Sequence, residues 1–556
     1  MRFDADLQRI QLFYADRGYP DARVAAADVK LNRQQSAVDV TLTIDEGEPV
    51  LVTAVDFVGF DVIPANHLDD LKGGVPLRVG RARDRQDVAT AREMALNELR
   101  DHGYPYAKVA AEEAGGATAK EASVVFTAMP GPVANFGDIE IAGNQSVSDR
   151  MIERELTYKP GDLYRRSVVQ NTQRRLYGLE LFQFVNIESL EPDSQSPEVK
   201  TRVTVAEGRH QRLNFGVGYG TEEKKRVDGG YHHLNFLGGA RSAGLQGRWS
   251  SLDRGLRADF TQPYFIWPRF SLGVEGQQWL TVTPAYESRV TGAKVTLMRR
   301  GDVRTSWALS LATGRDRSSI SSSALDDPSL RNDLIALGLD PTTLRQEGAL
   351  TAVGLDLQRS TADNLLNARR GYQIAVHAEH AGGWLPGTFN YDAVSADGRH
   401  YAPLGDALVL ASRLQLGNTR AANGEAANVP FSKKYFLGGA ASLRGWGRYE
   451  VSPLGESGFP IGGNSLLALS EELRADLSGS FGGVLFVDAG NVWAGSTVFD
   501  LADLRYDVGA GIRYQTPVGP MRFDFGYQLN PADALLVNGE PQKRRWRIHF
   551  SIGQAF

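Results

Sequence analysis

The sequence predicts an α+β arm of small repeated domains followed by an all-β transmembrane barrel of about 16 antiparallel strands. Three observations carry this reading. Residues 1–210 contain a degenerate repeat in which an amphipathic helix ends near a glycine and an alternating strand follows: Leu12–Val24 (LFYADRGYPDARV), Leu99–Val109 (LRDHGYPYAKV) and Leu176–Ile187 (LYGLELFQFVNI). Past about residue 211 the helical periodicity largely disappears, and alternating segments separated by polar or glycine-rich stretches take over. The chain closes with Trp546, Ile548, Phe550, Ile552 and Phe556 on one strand face, Phe556 being the last residue.

Composition bounds the rest. At 556 residues the chain exceeds one compact core, so two or more units are expected. The net charge of −5 is mild for this length and gives no reason to propose nucleic-acid binding. With no cysteine there is no disulfide, thiol nucleophile or thiolate metal site. No run of about 18 apolar residues exists, so membrane residence falls to a closed barrel, which satisfies every backbone group in lipid. Sixty glycines, with 19 Tyr and 24 Phe, suit a barrel girdled by aromatic residues. Met1-Arg2-Phe3-Asp4-Ala5-Asp6 lacks the basic start and apolar stretch of a signal peptide, so the start reads as internal.

In the arm, Gly18, Gly103 and Gly178 suit helix C-caps, and the Tyr-Pro after the first two stops the helix and starts the strand. Spacings of 85 and then 75 residues between these glycines are those of small domains rather than solenoid units. A second strand closes each unit (Val38–Pro49, Ser123–Pro132, Val199–Gly208), and another opens the next (Val52–Gly59, Phe136–Gly143). The inferred order is strand, helix, helix, strand, strand. The first unit lacks its opening strand and first helix. The units fall at 1–49, 50–133 and 134–210, with the barrel at 211–556.

In the barrel region, Leu408, Leu410, Leu414 and Leu416 alternate with Arg413 and Gln415. Met521, Phe523, Phe525 and Tyr527 alternate with Arg522, Asp524 and Gln528, and Tyr506, Val508, Ile512 and Tyr514 with Asp507 and Arg513. The polar face repeatedly pairs both charge signs, as the lining of a water-filled lumen would. Between two such strands lies Tyr435–Leu454 (YFLGGAASLRGWGRYEVSPL), a glycine-rich loop carrying Arg444-Gly445-Trp446. Farther on, Phe486, Asp488 and Gly490 share one face of a strand, and Glu472 sits on the inner face of the strand before it. An arginine on a loop meets carboxylates on an inner wall only if the loop folds back inside something hollow. Its guanidinium could tie the loop to Asp488 and Glu472, Gly445 allows close backbone approach, Trp446 can wedge against the wall, and Gly490 leaves room for the returning loop.

Together these residues resemble the conserved loop and inner-wall partner of the BamA/TamA outer-membrane assembly superfamily. The repeats resemble polypeptide-transport-associated (POTRA) domains, the last strand resembles the C-terminal signal of bacterial outer-membrane barrels, and three POTRA units place the architecture nearest the TamA branch. Asn235–Gly239, Thr261–Phe265, Gly462-Gly463-Asn464 and Arg513–Pro520 fit the same pattern in order. The resemblance implies an outer-membrane location with the arm in the periplasm. It implies help in inserting outer-membrane or autotransporter clients, without ATP, through client capture by POTRA strand edges. It also implies a weak lateral seam between a first strand with Leu213, Phe215, Val217 and Tyr219 and a last strand with Ile548, Phe550, Ile552, Gly553 and Phe556. Partners would be unfolded clients, the lipid bilayer and a TamB-like periplasmic protein. A two-partner-type secretion pore and a passive channel or anchor are the competing readings.

Other motifs read as structure. The nine histidines are scattered, and His377 with Glu379 and neighbouring His380 forms no metal-ligand set of usual spacing. Gly216-Val217-Gly218-Tyr219-Gly220 lies on a strand with no helix behind it and is not a dinucleotide site. No nucleophile elbow or phosphate loop occurs, so neither an enzyme nor a cofactor is expected. Asp316–Gly348 reads as an extracellular loop with a short helix.

Overall fold

The computed structural model describes residues 2–31, 38–116, 118–191, 194–220, 223–300, 304–321, 325–364, 367–405, 407–516, 521–537 and 539–552. They divide into two units, 1–208 and 209–556.

The second repeat of the arm shows how the pattern becomes structure. In the helix Arg85–Asp101, Val88, Ala91, Ala95 and Leu99 recur at helical spacing and are all buried. Asp84 caps its start by accepting the Gln86 N–H at 2.7 Å. Beyond its end Gly103 adopts φ +94°, and a Cβ there would stand 2.7 Å from Leu163 Cδ1, so the turn requires glycine. This helix and Ala65–Gly74 cover a three-stranded sheet whose Val124 and Phe126 pack with Phe60, Leu71 and Leu77. The closing strand Glu121–Met129 is central, parallel to Leu51–Val58 and antiparallel to Lys108–Gly115. The third repeat copies this plan, with Glu198–Glu207 between Asn135–Ala142 and Phe182–Ser189. The first consists of the helix Arg2–Asp16 and the antiparallel pair Arg23–Leu31 and Val38–Asp45.

One expected cap differs. Gly178 keeps helical angles (φ −65°) and its N–H still reaches the Arg174 carbonyl at 2.9 Å. The left-handed residue is Glu180 (φ 58°), because the helix runs one residue further before the chain reverses.

In the second unit sixteen strands, from Gln211–Gly220 to Trp546–Ile552, pair antiparallel in sequence order. A two-residue pair, Leu536–Val537 with Glu540–Pro541, lies outside that sheet. Along Met521–Gln528, Phe523, Phe525 and Tyr527 are exposed while Arg522, Asp524 and Gln528 are buried. The apolar face looks outward and the charged face inward, the order a lipid-embedded barrel demands. Thr305–Ile320 and Arg345–Ser360 are 16 residues each, longer than the roughly ten that span a bilayer. They absorb both ends of the segment read as an extracellular loop: Asp316 is a buried strand residue, one strand runs to Ile320 and the next begins at Arg345. The inward polar alternation continues to these strand ends, so composition mistook strand for loop. The short helix in it, Pro328–Ala336, is capped by Asp327, which accepts the Leu330 N–H at 3.0 Å.

Candidate functional site

The loop between the strands Leu408–Ala421 and Ser465–Ser478 turns into the barrel. Its two limbs are zipped by backbone bonds, Tyr435 N–H to Gly463 O at 2.9 Å and Leu437 N–H to Val451 O at 2.8 Å. Gly438 (φ +103°) lets the limbs touch, since a Cβ there would lie 2.2 Å from the Gly447 carbonyl oxygen. Between the limbs Leu443 and Trp446 are completely buried, packed with Leu437, Val451, Ala468, Val492 and Leu535.

Arg444, at the loop's tip, is 1% exposed. Its Nε and Nη2 donate to the two oxygens of Asp488 at 2.7 Å each, the planar fork of a bidentate pair. Nη1 donates to Glu472, Nη2 also reaches Ser470 Oγ at 3.1 Å, and the guanidinium lies 3.4 Å from the Phe486 ring centroid. Asp488, Phe486 and Gly490 share the inner face of Phe481–Trp493, while Ser470 and Glu472 share that of Ser465–Ser478. Gly490 opens space for the loop: a Cβ there would meet Leu437 Cδ1 at 3.1 Å. Glu472 is shared with Arg474, whose Nε donates at 2.7 Å, so it holds a second cation while Asp488 relies on Arg444.

The backbone of the tip is gripped as firmly as the side chain. Gly445 N–H donates to Asp507 at 2.9 Å, and Gln528 Nε2 donates to the Gly445 carbonyl at 2.8 Å. His549 Nε2, on the last strand, lies 2.8 Å from the Arg444 carbonyl oxygen and donates to it. Gly526 admits the loop, because its Cβ would stand 2.6 Å from the Arg444 carbonyl carbon and oxygen. Three further ion pairs reach opposite ends of the sheet. Glu450 takes Arg547 of the last strand at 2.5 Å, and Arg448 Nη1 reaches Glu223 at 3.1 Å and Asp253 at 2.8 Å, near the first strands. The loop therefore contacts the walls on both sides of the place where the sheet's ends meet.

Those ends carry no shared ladder among the described residues. Among the described residues the first strand's ladder is with Lys224–His233 and the last strand's is with Met521–Gln528, and the two strands come close. Leu213, Phe215 and Val217 are 81%, 74% and 70% exposed. Phe550 is also exposed and Ile548 half-buried. Tyr219 and Ile552 are strand residues by their backbone, while Gly553 and Phe556 lie outside the described residues, as do residues 517–520 of the penultimate motif.

Asp507, Ser470, Gln528, Gly526, Arg448, Glu450 and His549 join the loop contacts without having been singled out in the sequence. Asp507 and Gln528 stood on inward faces, a signal of lining but not of partner. His377 and Glu379 are elsewhere on the wall: His377 Nδ1 is 2.7 Å from Asp356, Glu379 pairs with Lys433 at 2.6 Å, and His380 pairs separately with Asp392.

Comparison with known proteins identifies the family. Residues 235–556 match the Omp85 superfamily domain, and residues 2–47 and 134–208 match the surface antigen variable number repeat of the POTRA type. The outer membrane protein assembly factor BamA of Neisseria meningitidis is 24% identical over all of this chain and 73% of its own length. That of Nitratidesulfovibrio vulgaris is 24% identical over all of this chain and 68% of its own. Among solved structures, BamA from Haemophilus ducreyi lacking POTRA domains 1–3 superposes with a TM-score of 0.68 at 21% identity, covering 91% of this chain and 99% of that one. CdiB from Acinetobacter baumannii gives 0.50 at 14% identity, over 92% and 90%. The chain belongs to the Omp85 superfamily, an outer-membrane β-barrel protein with POTRA domains in the periplasm.

Proposed function

We propose that the chain is an assembly factor that inserts other outer-membrane proteins, working by client capture on the arm and lateral opening of the barrel. The observation that carries this reading is a sixteen-stranded sheet whose first and last strands share no ladder among the described residues. Inside lipid an open edge must find hydrogen-bond partners, and a client strand can supply them. Strand length favours opening there: the first three strands have 10, 10 and 8 residues, against 15, 16 and 16 for Tyr286–Arg300 and the two that follow. Arg444, with Gly445, Trp446, Phe486, Asp488, Gly490 and Glu472, fixes the loop against the wall so that opening is confined to the seam. Leu213, Phe215, Val217 and Tyr219 on one side and Ile548, Phe550, Ile552, Gly553 and Phe556 on the other would form it.

On the arm, Lys108–Gly115 and the part of Leu51–Val58 beyond Val52, whose own N–H and carbonyl are taken by Arg81 and Gly80, are sheet edges placed for β-augmentation, as are their equivalents in the third repeat. The working units are a partial POTRA domain at 1–49, two complete ones at 50–133 and 134–210, and the barrel from 211. A TamA-like specialisation toward autotransporters, with a TamB-like periplasmic partner, is the finer form of this proposal. The test is reconstitution of the full chain in liposomes and the folding rate of a urea-unfolded outer-membrane barrel protein. Acceleration over empty liposomes supports an assembly factor. An unchanged rate together with steady ion conductance would replace it with a passive channel or anchor.

A further inference from the structure

In the second repeat, two helices that the chain separates by a loop bring three ligand-bearing side chains together. His67 stands in the first turn of Ala65–Gly74, Glu98 in the last turn of Arg85–Asp101, and His102 is that helix's C-cap. One ligand atom from each lies within 4.8 Å of the others, the only such trio among the described residues. His67 Nδ1 is 3.3 Å from Glu98 Oε1. Two ligands about 2.0–2.1 Å from one zinc ion, separated by a tetrahedral angle, are about 3.3 Å apart, so this edge is already at the required length. Glu98 and His102 are four residues apart, which puts them on one helix face. His102 Nδ1 lies 2.9 Å from the Glu98 backbone carbonyl oxygen, which fixes the ring against the helix end. The two imidazoles meet edge to face, ring centroids 4.6 Å apart.

We propose that His67, Glu98 and His102 form a binding site for a divalent transition-metal ion of the imidazole-preferring class, zinc being the test ion. Two imidazoles and a carboxylate are a ligand set that zinc accepts, with water completing the sphere. The side chains are partly exposed, at 47%, 26% and 21%, so the ion enters from solvent without unfolding the domain. The site also sits at a helix C-terminus, where the carbonyl ends favour positive charge. Closing the trio from spacings up to 4.8 Å to about 3.3 Å needs only side-chain rotation. Once bound, the ion cross-links the two helices that cover the sheet, leaving both sheet edges untouched. The site stiffens the domain without blocking strand capture.

The experiment uses the untagged full chain in detergent, stripped with a chelator and titrated with zinc chloride against a chromophoric competitor. Cobalt chloride supplies an independent visible spectrum, and the absence of cysteine removes thiolate background. The expected result is one tight equivalent, weakened at least about tenfold in each of His67→Gln, Glu98→Gln and His102→Gln, and unchanged in His400→Gln. Zinc should also slow amide exchange in 65–74 and 85–101 of the unaltered chain only. A titration with no saturable site, or an isotherm in His67→Gln and His102→Gln that matches that of the unaltered chain, would overturn the proposal and leave a helix-tying hydrogen-bond cluster.

Discussion

Removing the Arg444 side chain should release the loop, and the structure says how strongly. Arg444→Met keeps the apolar stem and deletes the charge. Glu472 would still be held by Arg474, but Asp488, fully buried, would lose its cation and keep Ser470 Oγ, the Arg444 backbone N–H at 3.2 Å and its contact with the Asp507 carboxyl, none of which carries a positive charge. Breaking a buried pair in this way costs about 3–5 kcal/mol, because one charge is left without a partner. At 1.4 kcal/mol per tenfold, the released state should be populated roughly 100- to 4,000-fold more. The readout is the rate of tryptic cleavage after Arg448 in the folded barrel, since the bond is accessible only when the loop leaves the wall. Adding Asp488→Asn to Arg444→Met removes the stranded charge and should recover about 2 kcal/mol of that loss. Arg444→Lys should fall between, since an ammonium cannot reproduce the fork that takes both Asp488 oxygens while reaching Glu472. An unchanged cleavage rate in Arg444→Met, or a double variant no tighter than the single one, would refute the assignment of Asp488 as the residue that holds the loop.

Three further outcomes follow from the same geometry. Gly526→Ala places a methyl 2.6 Å from the Arg444 carbonyl group, with backbone on both sides; it should loosen the loop by about 1–3 kcal/mol in the same cleavage assay while the arm is unaffected. Trp446→Ala empties a fully buried indole site and should cost about 3–5 kcal/mol in urea unfolding of the barrel. In the arm, partial burial pushes the Glu207 carboxyl upward, but bonds from the Ser146 hydroxyl and the Gln145, Val147 and Ser146 N–H groups outweigh it and hold it at about 2, below its ordinary 4.5. Its stabilisation is therefore complete above about pH 4.5 and lost as pH falls toward 2. Glu207→Gln should flatten that acid limb in amide exchange of Glu198–Glu207, at a cost of about 1 kcal/mol at neutral pH after solvent screening.

How far the sequence reaches depends on whether a feature is local. The barrel is written in the period-two alternation of strands such as Met521–Gln528, and strand periodicity needs no knowledge of neighbours. The proximity of Arg444 to Asp488 and Glu472 could be anticipated because the two carboxylates stand on inward faces and a loop arginine must go somewhere. His549 could not be paired with the Arg444 carbonyl in advance, since their contact depends on the depth to which the loop descends. Asp316 was misplaced because inward-facing serines and aspartates near a strand's end read as loop. His67 is distant in sequence from Glu98 and His102, and only the packing of one helix on another brings them within reach.

The central claim is that the seam opens to pass client strands, and a reversible lock tests it most directly. Cysteines placed at Phe215 and Ser551, and at neighbouring registers, would join the first and last strands in a chain that has no cysteine of its own. Oxidation should stop assembly of a client barrel in reconstituted liposomes, and reduction should restore it. Assembly that proceeds at the same rate with the seam demonstrably crosslinked would contradict the claim.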